Sequence, residues 1–222
     1  MARVPHGSLS VPARLFLLAY DTGKDRGAGA PDLPLAIRAA VLAELAGREL
    51  VHEVDGIVTP VLGARTDDPV LDQLMELIEE SRPRKWRGWI THRARSTHAL
   101  VREGLVEDAY LRPGRRRVLG LFPSTHYALE RAGYVEILRA EVLGAATGPT
   151  PPAEVPREDA TLAVLAASGH FRALLSSRDR RHHKTRLEAL AHRAGPHLPP
   201  IARALEKAVK SAEEARTNGG GG

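Results

Sequence analysis

DLPLAIRAAVLAELAGRELVHEVDGIVTPV, residues 32–61, changes its hydrophobic period halfway along. Leu35, Ile37, Val41, Leu42 and Leu45 lie on one apolar side of a helix running from Asp32 to about Ala46, with Gly47 as its stop. From Gly47 to Val61 the pattern alternates around Asp55-Gly56, the strongest short-range hairpin signal in the chain. A long helix followed by two short strands with a tight turn predicts a mainly α protein whose β structure is confined to hairpins.

The flanking segments agree. Ser8 or Ser10 caps a short helix over roughly 11–20, nearly all apolar and therefore buried. A helix from Asp68 or Pro69 to Glu80 places Leu71, Leu74, Met75 and Ile78 at core spacing. A third helix opens near Pro83 with Trp86, Trp89 and Ile90 and is expected to run on to Gly104. LRPGRRRVLGLF, residues 111–122, reads as a second hairpin turning at Pro113-Gly114, with strand-like flanks at Val106, Ala109 and Leu111 before the turn and Val118, Leu119, Leu121 and Phe122 after it. Ser124 or Thr125 then caps a helix carrying Tyr127, Leu129, Ile137, Leu138 and Val142. Residues 144–156, GAATGPTPPAEVP, read as a linker inside one domain spanning 1–216. Helices over 157–167, about 178–194 and 199–215 complete it, and 217–222 form a disordered tail. The expected architecture is a helical bundle-like single domain with two β-hairpins, one projecting and basic.

Composition removes several kinds of chemistry. The absence of cysteine excludes disulfides, thiolate metal ligands and a thiol nucleophile. Ten histidines form no H-E-x-x-H, and adjacent His182 and His183 point apart on a helix, so no metal is expected. TGKDRGAGAP, residues 22–31, lacks the spacing of a phosphate-binding nucleotide loop. No G-x-S-x-G elbow is present. The chain is read as a non-enzyme without cofactors. With no spanning apolar run and no signal-type segment, it is expected in the cytoplasm, and the Ala- and Arg-rich composition suits a bacterial genome.

Charge is distributed unevenly. Residues 82–117 hold eleven Lys/Arg against three acids, a local +8, so the remainder sums to −3 of the net +5. One cationic face is implied, and its partner is polyanionic: a lipid surface, a phosphorylated ligand or nucleic acid.

Several strings, in order, resemble the Golgi phosphoprotein 3 family, including its bacterial members: SLSVPARLFLLAYD (8–21), LAIRAAVLAELAGREL (35–50), DDPVLDQLMELIEESRP (67–83), THRARSTHALVREGLV (91–106), FPSTHY (122–127) and DATLAVLAA (159–167). The resemblance implies a peripheral membrane adaptor of mainly helical fold, with a protruding hairpin and a shallow basic pocket for the phosphatidylinositol 4-phosphate headgroup. By position, Arg38 and Arg93 match pocket arginines. The family's other arginine falls on Ile90, for which Arg87 or Arg95 would substitute, and the family tryptophan has no match before Asp32. Arg112, Arg115, Arg116, Arg117 and Leu119 would contact the membrane through the hairpin, which is also the expected route to a homo-oligomer. A client protein is not identifiable. Two alternatives stay open: the hairpin arginines form an ordinary charged tip, or the 91–104 helix and the 111–118 hairpin tip form a winged helix on DNA.

Overall fold

The computed structural model describes residues 9–21, 26–27, 31–118 and 122–218; for 21, 26–27, 115–118 and 122–126 the description covers the backbone only. The first helix, α1 (Val11–Leu18), buries every one of its eight residues. Leu15, Phe16, Leu17 and Leu18 are at most 3% exposed, and each buried large side chain contributes about 1.5–3 kcal/mol. Residues 20–21 (β1) pair with 26–27 (β2).

Helix α2 (Leu33–Gly47) is the centre of the bundle. Ala36, Ala39, Ala40 and Ala43 are buried beside Ile37, Val41, Leu42 and Leu45, so no polar stripe remains and neighbours surround the helix. Its small side chains let α1, α3 (Pro69–Glu80), α4 (Trp86–Thr91), α5 (Ala94–Glu107), α7 (Arg157–Ser168) and α10 (Leu198–Asn218) approach. Asp32, at the N-cap position, does not cap: both its oxygens accept from Arg216 at 2.7 Å, tying the end of α10 to the start of α2.

The first hairpin forms where the alternation places it. Strands β3 (Val51–Val54) and β4 (Ile57–Pro60) join through Asp55 and Gly56, both at positive φ, as a two-residue turn of this hand requires. Asp68 caps α3 by accepting from the amides of Val70 and Leu71.

Four expectations need correction. The helix from Pro83 to Gly104 is broken at His92–Arg93 into α4 and α5, because Arg93 adopts the left-handed conformation (φ 51°, ψ 31°). The basic hairpin does not turn at Pro113-Gly114: β5 (Leu111–Val118) pairs with β6 (Phe122–Leu129), with Pro113 opposite Tyr127 and Arg115–Arg117 opposite Thr125–Pro123. Val106 and Ala109, taken as strand flanks, belong to the end of α5 and the turn after it. A two-stranded ribbon has only edge strands, so proline sits inside it without breaking a ladder on both sides. Ser124 and Thr125 therefore lie in β6 and cap nothing; α6 (Ala132–Thr147) starts seven residues after Thr125.

Residues 144–147, read as linker, form the last turn of α6, and Val155 beyond the short 3-10 turn at Pro152–Glu154 is buried. Arg186 and Arg193 of α9 (Lys184–Ala194) donate to the carbonyls of Ala145 and Val155, which pins this Pro-rich stretch to the bundle. The 178–194 helix is split at His183 into α8 (Ser177–His182) and α9. Helix α10 extends through 217–218; the rest of the expected tail lies outside the described residues. The buried side chains form one continuous core from Leu9 to Val209.

Candidate anion-binding site

The break between α4 and α5 gathers arginines. Arg38 lies in the middle of α2 and is only 2% exposed, enclosed by the same packing that buries its alanine neighbours. Its Nη2 donates to the carbonyls of His92 and Arg93, at 2.9 Å each. A helix end leaves carbonyls unpaired, and a guanidinium carries a donor fork suited to two acceptors in a plane. Arg38 thus fixes the turn that carries Arg93, 55 residues away in sequence. Burial, with Arg93 next, lowers the Arg38 pKa to about 10, which leaves it charged at neutral pH. Its buried Nε has no hydrogen-bond partner among the described residues.

Arg93 is exposed on the turn. Left-handed backbone costs a residue with a Cβ about 1–2 kcal/mol, a strain that persists only where the surroundings impose it. Here Arg38 clamps the two carbonyls, and the Ser96 amide donates to the Arg93 carbonyl at 3.0 Å.

A third guanidinium, Arg84, lies outside the set of pocket arginines expected from the sequence. It precedes α4, and its carbonyl accepts from the Val58 amide, which attaches this segment to β4. Its guanidinium carbon lies 5.5 Å from the Trp89 ring centroid, and its buried Nε has no hydrogen-bond partner among the described residues. Gly88 permits this course: a Cβ there would stand 3.1 Å from the Arg84 Cβ. The Arg84, Gly88 and Trp89 spacing was the available signal. Trp89 in turn meets the His92 ring edge-on at 5.9 Å. Burial, then Arg84, Arg93 and Arg38, hold the His92 imidazole below its usual range, so all three cations act on one ring.

The other expected residues fall elsewhere. Ile90 is fully buried and cannot serve as a ligand. Arg87 donates to Ser211 Oγ of α10 at 2.9 Å. Arg95 is exposed in the first turn of α5, two residues past Arg93. Arg102 lies over the Tyr127 ring at 4.7 Å and joins α5 to the β5–β6 hairpin. Arg112 pairs with Glu130 in an exposed bridge that adds little stability. The backbone of Arg115, Arg116 and Arg117 runs in β5, whereas Leu119 and Leu121 lie outside the described residues. Among the described residues no helix is long and apolar enough to cross a membrane.

No curated protein matches the chain. A family model described as Golgi phosphoprotein 3 matches residues 11–212, from the first residue of α1 into the last turns of α10 and across the arginine turn. That match takes in all of α1–α9, and on it the chain belongs to the Golgi phosphoprotein 3 family.

Proposed function

We propose that this protein is a non-catalytic adaptor that docks reversibly on anionic membrane surfaces by seating a phosphate-bearing headgroup at the turn between α4 and α5. The clamp of buried Arg38 on the turn that presents exposed Arg93, with Arg84 and Arg93 both acting on His92, supports this most directly. A phosphomonoester carries nearly two charges at neutral pH and accepts charge-assisted, bidentate bonds from arginine. Arg93, exposed and presented by a strained turn, is the contacting group; Arg84 flanks it; Arg38 positions the turn and adds charge from behind. In the family pattern a second arginine stands where this chain has Ile90, and Arg84 supplies that charge from the preceding loop instead.

Around this turn the +8 segment acts at longer range. Each cation near an anionic leaflet contributes about 1 kcal/mol, so Arg115–Arg117 on β5 add about 3 kcal/mol when the hairpin faces the bilayer. Phosphatidylinositol 4-phosphate is the lipid the family suggests. Cosedimentation tests the proposal: the full chain is spun with phosphatidylcholine vesicles, with the same vesicles containing phosphatidylinositol 4-phosphate, and in parallel is titrated with random duplex DNA in a gel shift. Pelleting that requires the phosphoinositide and weakens about thirtyfold in Arg93→Ala supports it, since a charge-assisted contact contributes about 2 kcal/mol. Tight duplex binding with vesicles ignored would replace it with the winged-helix reading.

A further inference from the structure

A second cluster of cations borders an apolar groove that the docking site does not use. The groove lies between α7, α8, α9 and α10 and has a volume of about 660 Å³. Val164, Leu187, Ala191 and Ala202 supply its apolar lining. Arg180, Arg181, Lys184 and Arg203 stand around it, the last three exposed.

The two characters are separated along the groove. α9 and α10 are joined by a three-residue turn at 195–197, and along α9 Lys184 stands roughly 15 Å from that turn. Arg180, Arg181 and Lys184 cluster at the end far from the turn, with Ser177; Ala191 and Pro199 lie near the turn. Two acids also line the groove, Glu188 and Glu206. Glu188 is 3.9 Å from Lys184, a loose pair across one helical turn. Arg180 is half-buried, with Nη1 donating to the Leu175 carbonyl and Nη2 to Ser177 Oγ, both at 3.2 Å. Burial and then Arg172 hold its guanidinium below the usual arginine range, although Glu213 and Glu206 oppose this. Arg203 stands only five residues past the start of α10, so the end far from the turn holds three cations; against Glu188 and Glu206, which acts on Arg180, that end keeps a surplus of one positive charge beside an apolar trough.

Small-ligand sites have this form: a concavity of a few hundred Å³, mostly apolar, with a few polar groups that fix orientation. We propose that the groove binds a single-chain anionic amphiphile, its alkyl chain along Leu187, Ala191 and Ala202 and its carboxylate or phosphate at Arg180, Arg181 and Lys184. This site is independent of the arginine turn and shares no residue with it. The chain has two conceivable sources, a free fatty acid or an acyl chain drawn from a bilayer.

The test titrates dansyl-aminoundecanoate into the full-length protein and follows dansyl emission. Saturable enhancement, reversed by laurate but not by dodecyltrimethylammonium, is expected, because the cationic analogue has the same tail with the wrong charge. Ala191→Trp fills the trough and is expected to abolish the signal. The exposed double variant Arg181→Glu with Lys184→Glu leaves the core untouched and is expected to weaken binding at least tenfold. Arg93→Glu is expected to leave the titration unchanged, which separates this site from the docking turn. Vesicle pelleting of Ala191→Trp then identifies the source: normal pelleting assigns a free fatty acid, and reduced pelleting an acyl chain of the bilayer. Absence of saturable enhancement, equal displacement by both detergents, or an unchanged titration in the charge-reversal variant would overturn the proposal.

Discussion

Replacing Arg93 by glycine separates stability from function. The residue sits at φ 51°, ψ 31°, where a Cβ costs about 1–2 kcal/mol. Glycine removes that cost but gives the unfolded chain more freedom, a penalty of about 0.5–1 kcal/mol. The difference predicts that Arg93→Gly is more stable than the parent by about 0.5–1 kcal/mol. For a chain of this size each kcal/mol moves the midpoint about 2–4 °C, so a rise of about 1–4 °C is expected. The two carbonyls held by Arg38 are backbone groups and survive the change. Binding moves the other way: loss of the exposed guanidinium removes about 2 kcal/mol, roughly thirtyfold in vesicle affinity. Calorimetric unfolding measures the first effect, and cosedimentation with phosphoinositide vesicles the second. A variant that melts below the parent would show that Arg93 stabilises the fold, and one that pellets as well as the parent would show that it touches no ligand; either refutes the reasoning.

Arg38→Met leaves the His92 and Arg93 carbonyls without their shared donor; two charge-assisted bonds of about 1.5–3 kcal/mol each, less about 3 kcal/mol of relieved burial cost and Arg93 repulsion, predict a loss of about 1.5 kcal/mol and a lower thermal midpoint. His98, stacked 4.9 Å from Phe16, has its pKa lowered to about 4 by burial and then Arg102. The unfolded chain takes up that proton near pH 6.5 and the folded chain resists it, so stability falls as pH drops from 6.5 to 4; His98→Phe is expected to flatten that part of the melting profile. Arg216→Gln breaks the two bonds to Asp32, and faster amide hydrogen exchange confined to 211–218 is expected, with unchanged exchange there showing that the pair does not hold the end of α10.

Periodic segments were legible in the sequence because local pattern and burial coincide there. The all-apolar α1, the α2 face and the Asp55-Gly56 turn each depend on contacts within a few residues or on a hydrophobic stripe with one way to face. The misread places are those where tertiary contacts override local preference. Pro113-Gly114 is a strong turn signal, yet strand pairing over eight register positions carries it into β5. Nothing local marks Arg93 as a break, since the clamp that imposes it comes from Arg38 on another helix. The Pro-rich 148–156 stretch resembles a linker until Arg186 and Arg193 dock nearby. The family resemblance paired Arg38 with Arg93, and in the structure the Arg38 guanidinium holds the Arg93 backbone carbonyl; Arg84 escaped because its course over Trp89 depends on Gly88 on the following helix.

A titration with the soluble headgroup glycerophosphoinositol 4-phosphate, followed by amide chemical shifts of the isotope-labelled chain, tests the docking site without a membrane. The account predicts saturable shifts centred on His92, Arg93 and Ala94, lost in Arg93→Gly. Shifts confined to other elements, or none at saturating headgroup, would contradict it.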